Sequence, residues 1–132
     1  MTSMVETRVL APILVIDDEA SVRAFVCAAL ERKGYTVVQA SSGAEGVEHL
    51  ASARYAGVIS DIRMPGAING ADVHQWIQNH RPELSARIIL ISGDTANSET
   101  QSLLKGSATP CIEKPFRVQQ LISIVEKTFG KP

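Results

Sequence analysis

Three carboxylates, one hydroxyl and one amine stand at the ends of mainly apolar segments of this sequence. They belong to Asp17, Asp18, Asp61, Ser92 and Lys114. Carboxylates that lie close together repel one another, and a divalent cation that prefers oxygen ligands, such as Mg²⁺, removes that conflict. A carboxylate can also act as a nucleophile in phosphoryl transfer, while a lysine offsets the charge of the transferred group. These residue types therefore indicate metal-assisted phosphoryl transfer, if the fold brings them together.

Asp61 is the most informative of these residues because it ends a segment with the pattern of a buried strand. The segment is VISDIRMPG, residues 58–66, and the chain breaks at Pro65 and Gly66. A buried carboxylate without partners is costly, so it must have partners or lie at an opening. We therefore expect Asp61 to be fixed by its strand and yet accessible to a metal ion and a phosphoryl donor.

The elements that must position these side chains alternate between strand and helix. Short apolar segments predict five strands, at residues 13–16, 36–38, 57–60, 87–91 and 110–113. Apolar residues at helical spacing predict five helices, around residues 22–30, 47–51, 71–80, 98–105 and 118–129. Short connections then favour right-handed crossovers and one parallel sheet with helices on both faces. In this doubly wound α/β fold the carboxyl ends of the strands form one crevice, where the polar side chains would meet.

Size, composition and charge limit the possible functions. The 132 residues fit one domain at 12–130, preceded by a short leader at 1–11. A net charge of −1 and the lack of a dense Lys/Arg cluster give little support for a nucleic-acid partner. No apolar run approaches the ~20 residues of a membrane span, and Cys27 and Cys111 lack the spacing of a metal site. We therefore expect a cytoplasmic protein whose cysteines are reduced core residues.

Four segments, taken in order, resemble the receiver domains of two-component response regulators. They are ILVIDDE, VISDIRMPG, IILISGD and CIEKPF, each at the end of a predicted strand. The resemblance covers residues 11–129 and implies a flavodoxin-like fold of five strands and five helices in a single domain. It also implies a phosphoacceptor that receives its phosphoryl group from a phosphohistidine of a sensor histidine kinase or a histidine phosphotransfer protein. Such a domain phosphorylates itself and is not a turnover enzyme.

The resemblance implies a role for each matching residue around a metal ion. Asp61 would be the phosphoacceptor and also a ligand of Mg²⁺. Asp18 would bind the ion directly and Asp17 mainly through water, while the backbone carbonyl of Arg63 would complete the protein's share of the ligands. Mg²⁺ is thus the implied cofactor of the domain.

Two further matching residues imply how the phosphoryl group is held, and one residue that departs from the family pattern bears on how it is sensed. Ser92 would hydrogen-bond the phosphoryl group and shift towards it, and Lys114 would pair with a phosphoryl oxygen from beside a cis peptide bond to Pro115. Cys111 stands three residues before Lys114, where many receivers have a Tyr or Phe that turns inward on phosphorylation. Because a thiol cannot fill the space of a ring, we expect the usual coupling between hydroxyl and ring to be weak or of another kind.

Two features concern the setting of the domain and the lifetime of its phosphoryl group. The segments MPGAING and SGDTANSET resemble receivers of hybrid sensor kinases, and no output domain follows before Pro132. Both observations favour a phosphorelay receiver, or one from a hybrid kinase, over an ordinary stand-alone regulator. Arg63 and Asp94 would flank the approach to the phosphoryl group, and a pair between them would slow self-dephosphorylation.

Three other functions remain open from the residues alone. A phosphatase of the haloacid dehalogenase type also uses an aspartate nucleophile with Mg²⁺, but in a D-x-D pattern after the first strand, where this chain has adjacent Asp17 and Asp18. A receiver-like module could instead bind partners without being phosphorylated. A flavodoxin-like protein could bind flavin, although the first loop lacks a phosphate cradle rich in Ser, Thr or Gly.

Several residues fit purely structural roles. The acids at 17–19 could cap the first helix, because negative charge is favourable at a helix N-terminus. The three histidines are expected on the solvated surface, without a catalytic or metal role: His49, His74 and His80. Three apolar residues of the first helix are expected in the core: Phe25, Val26 and Leu30.

Overall fold

Five parallel strands form one sheet in the computed structural model, which describes residues 11–93, 101 and 108–132. The strands are β1 (Ile13–Ile16), β2 (Val37–Ala40), β3 (Gly57–Asp61), β4 (Ile88–Ser92) and β5 (Cys111–Glu113). Their order across the sheet is β2-β1-β3-β4-β5, with parallel pairing throughout. The predicted doubly wound, flavodoxin-like parallel sheet is therefore confirmed.

Four α-helices lie among the described residues, together with a 3₁₀ turn at Pro82–Leu84. They are α1 (Ala20–Arg32), α2 (Gly43–Ser52), α3 (Gly70–His80) and α4 (Val118–Phe129). The helix predicted at 98–105 lies, apart from residue 101, outside the described residues. Among the described residues, no helix is long and apolar enough to cross a membrane.

Side chains at two helix starts explain where those helices begin. The Ser42 hydroxyl accepts a hydrogen bond from the Glu45 backbone N–H at 3.1 Å, which caps α2. Asn69 and Asp72 form a reciprocal capping box at α3, with distances of 3.0 and 2.9 Å. These caps satisfy backbone donors that a helix start would otherwise leave unpaired, and they fix where each helix leaves the edge of the sheet.

The core has two halves, one on each side of the sheet. Every residue of β1, β3 and β4 is buried, as expected for strands covered on both faces. Ile13 and Val15 pack with α1 and α4 on one side, while Leu14 and Ile16 pack with α2 and α3 on the other. This alternation explains the continuous apolar runs, since each face of a central strand needs its own apolar side chains.

Two structural predictions from the sequence are wrong. Phe25 is expected in the core but is 40% exposed. Val26 and Leu30 occupy the face of α1 that meets the sheet, so Phe25 lies at the margin of that face, against Phe116. His74 is only 7% exposed, because α3 lies against the sheet on this side. Its imidazole Nε2 lies 3.0 Å from the Thr109 hydroxyl, which satisfies the buried ring.

The predictions for Val26, Leu30 and His80 are confirmed, whereas His49 is more buried than predicted. Val26 and Leu30 are fully buried, with relative exposure of 0%. His49 is half-buried near Glu45, and His80 is exposed and stacks on Trp76 with ring centroids 4.6 Å apart.

Candidate functional site

The carboxyl edge of the sheet brings together the polar residues that the sequence singled out. Asp17 directly follows β1, Asp61 ends β3, Ser92 ends β4 and Lys114 directly follows β5. Parallel register makes these ends neighbours, since Asp61 is paired with Ile91, the residue before Ser92. A backbone hydrogen bond of 2.7 Å from the Lys114 N–H to the Ser92 carbonyl extends the pairing into the site.

Lys114 is the cationic centre of this edge. Its ammonium Nζ lies 3.2 Å from Asp61 Oδ2 and 3.1 Å from Glu19 Oε1, and it donates a hydrogen bond to each. A third carboxylate oxygen, Asp17 Oδ2, lies 3.8 Å from the same nitrogen. The peptide bond between Lys114 and Pro115 is cis, as the sequence comparison implied. One cation therefore faces three acids.

The three acids form a compact group of oxygen donors. Carboxylate oxygens of Asp17, Glu19 and Asp61 all lie within 4.8 Å of one another. Asp17 is completely buried, and its Oδ2 atom has no hydrogen-bond partner among the described residues, whereas its Oδ1 accepts from the Glu19 backbone N–H at 2.9 Å. A buried carboxylate oxygen without a hydrogen bond is costly unless it meets a cation. The donor set therefore fits a hard divalent ion such as Mg²⁺.

Burial and charge shift the pKa values of these groups in opposite senses. Burial is the largest cause that raises the pKa of Asp17 and of Asp61 above the ordinary 3.8, although Lys114 opposes it in both cases. For Lys114 burial acts to lower the pKa, but the hydrogen bond to Glu19 and the charges of Asp61 and Asp17 outweigh it, so the pKa is raised. The ammonium is therefore firmly protonated, while burial disfavours the charged forms of the two acids, which a second cation beside them would favour.

Two of the residues assigned to the metal lie at the exposed rim of the group. Asp18 is exposed and is not among the three acids whose oxygens cluster, although its charge raises the pKa of both Asp17 and Asp61. The Arg63 side chain is exposed, and its backbone N–H donates a hydrogen bond to the Asp61 carboxylate. The backbone of Arg63 therefore lies beside the Asp61 carboxylate. Asp94, the expected partner of Arg63, lies outside the described residues.

Glu19 lies in the site, although the sequence predicted for it only a possible role in capping the first helix. It is the N-cap residue of α1, but its side chain caps no backbone group and reaches Lys114 instead. The available signal was the third acid of the DDE run. That signal is weak because an acid at a helix start is favourable without any further function.

The turn after Asp61 approaches the site so closely that it requires a glycine. The Gly70 backbone N–H donates to the Ile62 carbonyl at 2.8 Å, which ties the start of α3 to the end of β3. A Cβ atom added at Gly70 would lie 2.2 Å from the Asp61 carbonyl oxygen, far inside contact distance. This contact fixes the backbone of the residue that bears the candidate nucleophile.

Ser92 and Cys111, the two residues assigned to switching, lie on neighbouring strands. Ser92 is completely buried at the end of β4. Cys111 begins β5, pairs with Leu90 and packs half-buried against the core on the α2 and α3 side. Burial is the largest cause that raises the pKa of the Cys111 thiol, with the charge of Glu113 adding to it. Cys111 is therefore a small, neutral packing residue.

Comparisons with known proteins agree with this geometry. The sequence profile described as the response regulator receiver domain matches residues 13–126. The chain is 37% identical over 91 residues to the CAI-1 autoinducer sensor kinase/phosphatase CqsS of Vibrio cholerae, covering 69% of this chain and 13% of that protein. It is 31% identical over 111 residues to the response regulator MprA of Mycobacterium ulcerans, covering 84% and 47%.

A solved structure of comparable size also has this fold. The response regulator TrrA of Thermotoga maritima, determined in complex with Mg(2+)-BeF, is 32% identical, with a TM-score of 0.77 over 90% of this chain and 99% of that one. The chain spans less than half the length of the two curated relatives. Since the family profile covers most of the sequence and the carboxyl edge carries the matching residues, this protein belongs to the response regulator receiver domain family of two-component signal transduction.

Proposed function

We propose that Asp61 accepts a phosphoryl group from a phosphohistidine of a sensor histidine kinase or a histidine phosphotransfer protein. The observation that carries this proposal is the Asp61 carboxylate itself, which lies 3.2 Å from the Lys114 ammonium within a group of acids that fits Mg²⁺. Residues 12–130 form the proposed receiver unit. Family membership argues against the phosphatase and flavin-binding alternatives, whereas a receiver that signals without phosphorylation is left to experiment.

The chemistry needs little more than position and charge. A carboxylate oxygen of Asp61 attacks phosphorus, a P–O bond forms, and the P–N bond to the histidine breaks as the imidazole nitrogen leaves with the electron pair. The turn held by Gly70 and the backbone N–H of Arg63 orient the Asp61 carboxylate. Lys114 offsets the negative charge on the transferring oxygens, and the Ser92 hydroxyl is our candidate partner for one of them.

Four groups of this chain would hold the ion: the carboxylates of Asp17, Asp18 and Asp61 and the backbone carbonyl of Arg63. The buried Asp17 oxygen without a hydrogen-bond partner supports this assignment, as does the Mg(2+)-BeF bound to the similar TrrA structure. Bound Mg²⁺ would supply charge neutralisation for the acids and the transferred group.

The proposed docking surface for the phosphohistidine partner is the exposed start of α1 beside the site. Ser21, Val22 and Phe25 of α1 and Phe116 after β5 line an open, mainly apolar depression next to Lys114. Phe25 is 40% exposed and lies against Phe116 with ring centroids 5.8 Å apart, so the two rings form contiguous apolar surface beside Lys114. The matched relative CqsS is a sensor kinase, and this chain covers 13% of its length. We therefore propose that the chain is a receiver from a hybrid kinase or a phosphorelay. We also propose that it acts in the cytoplasm, where the free thiols of Cys27 and Cys111 stay reduced.

The proposed switch differs from that of receivers with a ring at the position of Cys111. A phosphoryl group that binds the Ser92 hydroxyl biases a two-state equilibrium at the ends of β4 and β5. The half-buried Cys111 thiol offers no large side chain that could move between two positions. We therefore infer that the output depends on the Ser92 end of β4 more than on β5.

The proposed function is tested by the intact mass of the protein after incubation with acetyl phosphate and Mg²⁺. We expect one phosphoryl adduct in the wild type and none with Asp61→Asn or with a chelator. A folded wild type that binds Mg²⁺ but gains no adduct from acetyl phosphate or from a phosphorylated histidine protein would support the alternative that it signals by docking alone. Release of phosphate from esters by catalytic amounts of protein would contradict the assignment as a phosphoacceptor.

Stabilisation by Mg²⁺ should weaken as the pH falls. The folded pKa values of Asp17 and Asp61 are raised, so each acid binds a proton more tightly in the folded than in the unfolded chain. Without metal, protonation of these acids favours the folded chain. This contribution to the free energy of unfolding is lost as the pH rises through the folded pKa values, and it returns as the pH falls. Because the same protons compete with Mg²⁺, the rise in Tm on adding Mg²⁺ should be largest near neutral pH and should decline as the pH falls towards the ordinary pKa of 3.8.

Differential scanning calorimetry with and without Mg²⁺ across this pH range measures the effect. An equal Mg²⁺ effect at all these pH values would mean that the ion binds away from the buried acids.

A further inference from the structure

We propose that Glu19 is a positioning residue that holds the Lys114 ammonium before phosphorylation and releases it when a phosphoryl group arrives at Asp61. This inference rests on the proposed function and adds a residue to it. Glu19 would thereby lower the affinity of the site for the phosphoryl group while raising its affinity for the metal ion.

The contacts of Lys114 place Glu19 where the phosphoryl group must enter. The ammonium donates to Glu19 at 3.1 Å and to Asp61 at 3.2 Å, with Asp17 at 3.8 Å. The Glu19 side chain is 57% exposed, against 6% for Asp61 and 0% for Asp17. Glu19 therefore covers the solvent side of the ammonium, and the two buried acids cover its inner side. A donor that comes from solvent meets the side that Glu19 occupies.

The local structure shows that this contact replaces an ordinary helix cap. At an N-cap the side chain usually accepts a hydrogen bond from the helix backbone, but the Glu19 side chain makes no such bond. Its backbone N–H is instead held by Asp17 Oδ1 at 2.9 Å, which fixes the residue beside the site. Glutamate is not one of the favoured N-cap residues, so its carboxylate is left to pair with Lys114.

An ammonium has three N–H donors, and a phosphoryl group brings three acceptor oxygens close to it. Glu19 occupies one of those donors and adds a negative charge within 4.8 Å of the Asp61 and Asp17 oxygens. That charge favours the divalent cation and disfavours the incoming anion. Removing it should therefore change the two affinities in opposite directions, whereas a loss of structure would lower both.

The test uses Glu19→Gln and Glu19→Ser in the full chain, with Mg²⁺ and then beryllofluoride, a phosphoryl mimic, titrated by isothermal titration calorimetry. Serine is a good N-cap residue, so Glu19→Ser removes the contact with Lys114 without weakening the start of α1. The control is Glu48→Gln, an exposed acid on α2 that gives the same change in net charge.

We expect both Glu19 variants to bind beryllofluoride about two- to five-fold more tightly at saturating Mg²⁺ and to bind Mg²⁺ alone more weakly by a similar factor, as an exposed ion pair allows. The Glu48→Gln protein should match the wild type. If both affinities fall together, or neither changes, the role assigned to Glu19 is wrong. If the wild type binds Mg²⁺ but no beryllofluoride, the proposed function itself fails.

Discussion

Asp17→Asn should make the metal-free protein more stable and yet prevent it from working. Asp17 is completely buried, its Oδ2 accepts no hydrogen bond within the described part of the chain, and burial raises its pKa. An amide removes the cost of a buried charge and can keep the bond from the Glu19 N–H, so we expect the free energy of unfolding to rise by about 1–2 kcal/mol. The same change should weaken Mg²⁺ binding roughly 10- to 100-fold and slow phosphoryl uptake accordingly.

Chemical denaturation without metal and calorimetric titration with Mg²⁺ measure the two effects on one sample. Glu48→Gln, which removes an exposed charge on α2 that is not part of the acid group, should change neither value. A metal-free Asp17→Asn protein that is less stable than the wild type would show that Asp17 serves the fold more than the ion.

Lys114→Gln should separate metal binding from phosphoryl transfer. Lys114 is the cation that faces the three clustered acids, and without it we expect phosphoryl uptake from acetyl phosphate to fall roughly 10²- to 10³-fold. Mg²⁺ should bind more tightly to the variant, because the ammonium no longer competes for the same oxygens. The metal-free protein should lose stability, since buried acids are left without their counter-charge.

The uptake rate comes from intact mass against time at saturating Mg²⁺, and the affinity from calorimetry. Lys127→Gln, an exposed lysine on α4, is the matched control and should behave as the wild type does. Unchanged uptake in Lys114→Gln would mean that the ammonium only holds the resting site together.

The sheet could be predicted from sequence because its three central strands, β1, β3 and β4, are short, mainly apolar and buried on both faces. Ile13–Ile16 and Ile88–Ser92 are buried along their whole length and show no alternation of apolar and polar residues; Asp17 directly follows the first, and Ser92 ends the second. The errors at Phe25 and His74 have one cause, which is that helical spacing identifies a face but not how far the sheet extends beneath it. Phe25 lies beyond the part of its helix that the sheet buries, whereas His74 lies within the buried part of its own helix.

The partners within the site could be predicted only in part. Parallel strands must bring Asp17, Asp61 and Lys114 to one edge, so their meeting follows from the topology. The contact between Glu19 and Lys114 joins residues 95 positions apart and depends on the direction of two long side chains, which no local pattern determines. Acids are common at the start of a helix, so the sequence alone gave no reason to expect this contact of Glu19.

We expect Asp61, and no other residue, to carry the phosphoryl group. Reduction of the acyl phosphate with borohydride after incubation with a phosphoryl donor and Mg²⁺, followed by peptide mass spectrometry, converts a phosphorylated aspartate to homoserine and locates it. We predict homoserine at position 61 alone, absent when the donor is omitted. Homoserine at Asp17 or Asp18, or a phosphoryl adduct that borohydride does not convert, would contradict the assignment of Asp61 as the phosphoacceptor.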